Sequence, residues 1–269
     1  MSKINLSHHH LILTGASGGL GQALAAALVS HGTRVTLVGR ASTQLSALAQ
    51  RLAQPYVELD LLEPNAEQQL HHYVQQSSNT NQPVSGIIHN AGIANTVLYE
   101  DADWLAQQQV MTLNLLVPMQ ITHALLPYFK QQSQAIVMTI GSVFGAIGYP
   151  SQTAYCASKA GLQRFSEALR RECYDSSVKV FHCMPRAIDT GLNSGVMSRL
   201  NAQLGNAIDT PQWVAERICQ QLQQGQPQRV LGWPERLLVP LNMLLPRLVD
   251  NALRKPYQLV SQLLKEHSS

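Results

Sequence analysis

Residues 10–21 read His-Leu-Ile-Leu-Thr-Gly-Ala-Ser-Gly-Gly-Leu-Gly, and the chain runs on as Gln-Ala-Leu-Ala-Ala-Ala-Leu-Val-Ser-His to residue 31. Three pieces follow one another here. His10–Thr14 is short, apolar and strand-like. A glycine-rich turn comes next. Gly19–His31 then places Leu20, Leu24, Ala27 and Leu28 on one stripe of a helix. A strand, a glycine turn and a helix in this order expose free N–H groups and the positive end of a helix dipole to an anion. Gly15 suits the tight turn. Gly19 and Gly21 let the backbone approach a pyrophosphate and let the helix pack closely on a sheet.

Outward from this unit the pattern repeats. Strands are expected at Arg34–Val38, Val57–Leu59, Val84–His89, Ala135–Ile140, Val178–Met184 and Arg229–Leu231. Helices are expected at Ser42–Leu52, Pro64–Gln76, Asp101–Gln131 with a bend near Pro118, Thr153–Cys173, and from Thr210-Pro211 to Gln224. Alternating strands and helices with short links predict a parallel sheet covered on both faces. The fold class is therefore α/β: a single doubly wound (Rossmann) domain over residues 1–269, with about seven strands. His8, His9 and His10 read as the start of the first strand.

Composition narrows the function. The chain has 269 residues, 45% hydrophobic and 13% charged, which suits a packed globule and not a disordered one. The net charge of +3, with no dense Lys/Arg cluster interleaved with aromatics, gives no nucleic-acid footprint. Cys156, Cys173, Cys183 and Cys219 form no CxxC pair, so no metal site is expected. No signal peptide is read at the N-terminus, and reduced thiols with a cytoplasmic location are the expectation. The apolar run Leu237–Leu248 is broken by Pro240 and Pro246 and is shorter than the roughly 20 residues of a membrane span. No span is expected.

The end of the second strand bears on the cofactor. Nicotinamide-binding proteins of this architecture that use NAD place an acid there for the ribose 2′-hydroxyl. This chain has Leu37-Val38-Gly39-Arg40. Arg40 can pair with a 2′-phosphate through its planar fork, with Ser42 a second candidate, so NADP(H) is expected in preference to NAD(H). Further on, Tyr155 and Lys159 stand four apart, on one face of a helix. A free phenol titrates near ~10, and an adjacent ammonium lowers that value, fitting tyrosine for proton transfer to a carbonyl or from an alcohol.

With these residues in view, the chain resembles the short-chain dehydrogenase/reductase family. Thr14 to Gly21 matches that family's Thr-Gly-x-x-x-Gly-x-Gly motif, and Asn90-Ala91-Gly92 its Asn-Ala-Gly motif. Ser142, Tyr155 and Lys159 match its serine, tyrosine and lysine in order and interval, while Asn114 and Asp60 fall where it keeps an asparagine and an acid. The match runs from about residue 8 to 232. The resemblance implies catalytic roles for Asn114, Ser142, Tyr155 and Lys159. Tyr155 would be the acid/base, Lys159 would hold the nicotinamide ribose and tune the tyrosine, Ser142 would bind the substrate oxygen, and Asn114 would position a water behind Lys159. It implies cofactor contacts for Gly15, Ser17, Gly19, Leu20, Gly21, Arg40, Asp60, Asn90, Ala91, Gly92, Tyr155, Lys159, Pro185, Ile188 and Thr190.

By the same resemblance, the activity is hydride transfer between NADP(H) and a carbonyl or alcohol, and the chain assembles as a homodimer or homotetramer through its two long helices. A non-catalytic NADP(H)-binding redox sensor on the same fold is the alternative. Residues 186–207 would form a substrate flap, and residues 233–269 a helical extension. That extension places Leu237, Leu241, Leu244 and Leu248 at helical spacing. They would pack on the body or a partner, close over a hydrophobic substrate, or touch a membrane surface. The chain departs from the family at Arg186, which follows Pro185 where glycine is usual. Arg186 either points outward or meets an anionic part of substrate or cofactor.

Overall fold

The computed structural model describes residues 3–193 and 195–268. Seven parallel strands form one sheet in the order β3-β2-β1-β4-β5-β6-β7. They are β1 His10–Thr14, β2 Arg34–Gly39, β3 Tyr56–Glu58, β4 Gly86–His89, β5 Ala135–Ile140, β6 Val178–Met184 and β7 Gln228–Val230. Between β1 and β4 the winding reverses direction, and this switch point opens a crevice at the carboxyl ends of the strands.

Period-two alternation sends side chains to two cores. Leu11 and Leu13 of β1 join Leu37, Met138 and Phe181 on one face, under α1 (Gly19–Ser30), α2 (Thr43–Leu52) and α8 (Pro211–Gln223). Ile12 joins Val38, Ile87, Val137 and Val180 on the other, under α3 (Ala66–Ser77), α5 (Val117–Phe129) and α6 (Thr153–Glu172). Strands buried on both sides explain why these segments read as continuous apolar runs. Ser42 caps α2, its Oγ accepting from the Leu45 N–H at 3.2 Å, and Thr210 caps α8 by accepting from Trp213 N–H at 3.3 Å.

His10 begins β1, whereas His8 closes a short 3-10 turn, Leu6–His8. His9 and His10 are buried and hydrogen-bonded, His9 to Ser85 and Gln134, His10 to Thr36 and the Gln82 carbonyl. Several expected boundaries move by a residue or two. β4 starts at Gly86, where a Cβ would stand 2.3 Å from the Ile136 carbonyl of β5, a contact only glycine permits.

The long helix expected at Asp101–Gln131 is two helices, α4 (Trp104–Met111) and α5, joined by a π-helical turn at Thr112–Leu116. Pro118 has no N–H to donate to the carbonyl of Asn114 four residues back, and Val117 N–H instead reaches back five residues to Thr112. The continuous rod Trp104–Phe129 is long and apolar enough to cross a membrane, with a mean hydropathy of 1.3 over its best window. Its inner residues Ile121, Leu125 and Phe129 are nevertheless buried in the core against the sheet.

Beyond the sheet, α7 (Val196–Leu204), α9 (Glu235–Leu244), α10 (Pro246–Ala252) and α11 (Arg254–Ser268) gather on the substrate side. Val260 and Leu263 of α11 pack on Val196, Met197 and Leu200 of α7. Val239 of α9 and Val249 of α10 pack on Val143 and Ile147. Pro246 opens a new helix, so the four spaced leucines of this region are divided between α9 and α10.

Candidate active site

A cavity of about 610 Å³ follows the switch-point crevice, a size that suits a cofactor together with a small substrate. Strand order sets the order of its lining. Asp60 follows β3, Arg40 follows β2, the glycine turn follows β1, and Asn90-Ala91-Gly92 follows β4. Ser142 follows β5, and Pro185 follows β6. The cofactor and catalytic residues expected from the sequence line this one cavity, except Asn114, which stands directly behind it, and Ser42, the second candidate for the 2′-phosphate.

The turn is held from below. Thr14 Oγ1 accepts from the backbone N–H groups of Asn90 and Ala91 at 3.1 and 3.2 Å. The Asn90 amide donates to the carbonyls of Thr14 and Gly15, each at 3.1 Å. Gly15 has φ +65°, and a Cβ there would meet Ala91 Cα at 2.7 Å. A Cβ on Gly21 would stand 2.1 Å from the Gly15 carbonyl, so turn and helix close on each other only without a side chain. Gly19 is covered in part by Thr190, whose Cγ2 lies 2.8 Å from where a Cβ would be. These cramped positions form a cradle whose floor is bare backbone at the N-terminus of α1, which fits a pyrophosphate.

Arg40 is exposed, and no ion pair to it occurs among the described residues. Ser42, a candidate for the same phosphate, accepts from Leu45 N–H in the α2 cap and does not line the cavity. Asp60 Oδ1 accepts from Leu62 N–H at 3.0 Å, which shapes the loop after β3.

The second half of the site is built across α6 and the π turn. Lys159 is 5% exposed, and its Nζ donates to the Ile140 carbonyl at 2.9 Å and lies 5.7 Å from the Tyr155 ring centre. Asn114, fully buried, grips Ile93 by both backbone groups: Oδ1 accepts from its N–H at 2.9 Å and Nδ2 donates to its carbonyl at 2.8 Å. The Asn114 amide also donates to Ser158 Oγ at 3.1 Å. Gly92 is wedged between these groups; a Cβ there would meet Asn114 Oδ1 at 3.1 Å and Lys159 Nζ at 3.5 Å. Ser142 Oγ accepts from Phe144 N–H at 3.1 Å, which leaves its proton free to point into the cavity.

Burial pushes the Tyr155 phenol up to about 12, although a hydrogen bond with Ser142 works against it, so the net direction is opposite to the lowering implied for Lys159. The same burial lowers Lys159 to about 8, so the ammonium is itself poorly stabilised.

The match to known proteins follows the same residues. The family model for short chain dehydrogenases matches residues 9–201. The chain belongs to the short-chain dehydrogenase family.

Within that family it is 30% identical to dehydrogenase/reductase SDR family member 7B of Mus musculus, over 76% of this chain and 65% of the mouse protein. The chain thus spans a little under two thirds of that relative's length. It is also 30% identical to ketoacyl reductase HetN of Nostoc sp., over 77% of this chain and 73% of the relative. In fold it is similar to a short chain dehydrogenase from Burkholderia cenocepacia, solved in complex with NADP. That likeness has a TM-score of 0.79 and 22% identity, and covers 93% of this chain and 99% of the other. A short-chain dehydrogenase from Sphingobium yanoikuyae, in complex with NADPH, gives a TM-score of 0.75 at 20% identity, covering 90% and 95%.

The family's usual glycine after β6 is Arg186 here, and its place is now defined. The guanidinium forks onto Asp209, Nη2 to Oδ1 at 2.7 Å and Nε to Oδ2 at 3.0 Å. Its Nη1 donates to the Trp233 carbonyl at 2.8 Å and approaches Glu235 at 3.4 Å. Arg186 therefore ties the segment after β6 to Asp209 and to the start of α9. No sequence pattern marks Asp209 or Glu235 as its partners, since they lie 23 and 49 residues away. Asn201 of α7 was also missed. It lines the cavity, is 4% exposed, and its Nδ2 has no partner among the described residues.

Proposed function

We propose that this protein is an NADP(H)-dependent oxidoreductase that interconverts a bulky apolar ketone and its alcohol. The observation that carries the reading is the meeting of Ser142, Tyr155 and Lys159 in the same cavity as the glycine cradle and the exposed Arg40. NADP(H), when bound, supplies or accepts the hydride. The cradle of Gly15, Gly19 and Gly21 would hold its pyrophosphate, Arg40 its 2′-phosphate, and Lys159 a ribose hydroxyl. The two fold neighbours in complex with NADP and NADPH support the cofactor choice.

The chain's own part is proton handling and orientation. Ser142 donates to the substrate oxygen and fixes the carbonyl against the wall formed by β5. Tyr155, held protonated by its burial, then gives its proton to that oxygen as it becomes an alkoxide, forming the O–H of the alcohol. A protonated phenol is the form that reduction consumes. Lys159 stabilises the phenolate left behind, and the proton is restored through the Lys159 side of the site. Asn114 fixes the loop at Ile93 and so holds the shape behind Lys159. Val143, Phe144, Leu192 and Met197 give the substrate end an apolar lining, and a ketoacyl reductase among the relatives agrees with that class.

Titration with NADPH and NADH separately, followed by a screen of apolar ketones against small polyols, tests the proposal. Preferred NADPH binding with turnover of apolar ketones is expected; turnover of polar sugars alone would refute the substrate class. We further propose self-association through α4, α5 and α6, where Leu105, Leu116 and Met119 stay exposed, to be checked by mass in solution.

A further inference from the structure

We propose that α9 and α10 form an interfacial anchor that seats this protein on an anionic lipid surface. The two helices turn Val239 and Val249 inward onto Val143 and Ile147, and Asn242 donates to the Ala146 carbonyl at 2.9 Å. That fixes which face points away. The outer face carries Leu237, Met243, Leu244, Leu245 and Leu248, between 52% and 78% exposed. Trp233, at 62%, stands just before α9, and Tyr257, at 51%, on α11. Scattered exposed leucines are ordinary, but four leucines and a methionine on two adjacent short helices and the residue between them concentrate apolar surface that water does not favour.

The charges around this surface point to its occupant. Arg236, Arg247, Arg254 and Lys255 are all exposed, and Asp250 is the one exposed acid between residues 233 and 257. Glu235 is drawn into the Arg186 clamp. The segment 233–269 has five Lys/Arg against three Asp/Glu, so it carries +2 of the chain's net +3. Apolar side chains bordered by cations, with a tryptophan and a tyrosine beside them, match the layering of a membrane interface: acyl boundary, carbonyl level and anionic headgroups. A second copy of the chain is a poorer occupant, because exposed cations outnumber exposed acids four to one between residues 233 and 257 and a two-fold contact would bring two such positive surfaces together. The anchor lies in the interface plane and spans nothing, and it does not depend on the reaction proposed above.

Flotation of the purified full chain with vesicles of phosphatidylglycerol and phosphatidylcholine, against phosphatidylcholine alone, tests this. Binding to the anionic vesicles at least about tenfold above the neutral ones is expected, falling as salt rises. Leu244→Glu with Leu248→Glu, and separately Arg247→Glu with Lys255→Glu, should each reduce it about tenfold or more while NADPH binding stays unchanged. These side chains project into solvent, so the fold tolerates the changes. No binding to anionic vesicles overturns the proposal, as does binding that both variants retain. A concentration-dependent dimer that Leu244→Glu dissociates would assign the face to a second copy instead.

Discussion

Lys159 donates its ammonium to the carbonyl of Ile140, at 2.9 Å, on the last residue of the strand that leads into Ser142. The hydrogen bond couples the face of α6 that carries Tyr155 to the end of β5 that carries the serine. It also holds a cation where burial alone would drive it toward neutrality. Tyr155→Phe removes the proton but leaves this frame intact. Turnover should fall by roughly 10²–10⁴-fold while NADPH binding stays within about twofold. Steady-state kinetics beside a fluorescence titration makes the comparison, and unchanged turnover would remove Tyr155 from the mechanism.

Arg40 stands exposed beside the cradle, with no ion pair to it among the described residues. Arg40→Ala should weaken NADPH roughly tenfold to a hundredfold, the range expected for charged hydrogen bonds. NADH, which has no 2′-phosphate, should bind the variant as it binds the parent. Equal weakening of both nucleotides would mean that Arg40 serves the fold and not the phosphate.

The Arg186–Asp209 fork is well shielded, with side chains 14% and 9% exposed. Asp209→Asn leaves the guanidinium partly uncompensated, and Glu235 offers only a longer contact of 3.4 Å. A loss of about 3 kcal/mol is expected from urea unfolding, with faster proteolysis near Trp233. Arg186→Met together with Asp209→Leu should recover much of that loss, because no charge is then stranded.

His89 and His182 are buried, and burial lowers both from 6.5 to about 3, with Lys159 and Arg164 adding to the effect at His182. His9 and His10 are lowered for the same first reason. In each case the unfolded chain binds a proton that the folded chain refuses. The stabilisation is complete above pH 6.5 and drains away as pH falls toward 3. Each of His89 and His182 should contribute up to about tenfold in the unfolding equilibrium per pH unit in that window. Denaturation midpoints measured from pH 7 to 4 will show the slope, and His89→Gln should flatten it. A midpoint that does not move over this range would contradict the assignment.

Asn201 keeps an unpartnered Nδ2 in the wall of the cavity. Asn201→Leu removes an unpartnered buried donor but also the acceptor of the 2.9 Å bond from Asn206 Nδ2, so stability should stay within about 1 kcal/mol. If the amide donates to a second oxygen on the substrate, KM rises with little change in kcat. An unchanged KM for every substrate turned over would leave the group without a ligand.

Much of this arrangement is local and therefore legible without coordinates. Strands buried on both faces must be apolar throughout, and helices that cover them must show a stripe, so the alternation of His10–Thr14, Gly19–Ser30 and their successors identified the doubly wound sheet. The glycine turn and the Tyr155–Lys159 pair are short-range patterns whose chemistry depends on spacing along the chain. What lay beyond reach depends on distance in space. The π turn that brings Asn114 to Ile93 arises from Pro118 acting within a packed helix. The phenol's upward shift is a property of burial, which a spacing of four residues does not report. The partners of Arg186 come from two remote segments, and α9 and α10 acquire an outer face only because Val239 and Val249 choose an inner one. Sequence by itself determined the sheet, the cradle and the roll of reactive side chains, because each rests on covalent neighbours. Tertiary structure alone decided how those side chains are desolvated, paired and turned toward solvent, because each of these is set by what packs against them.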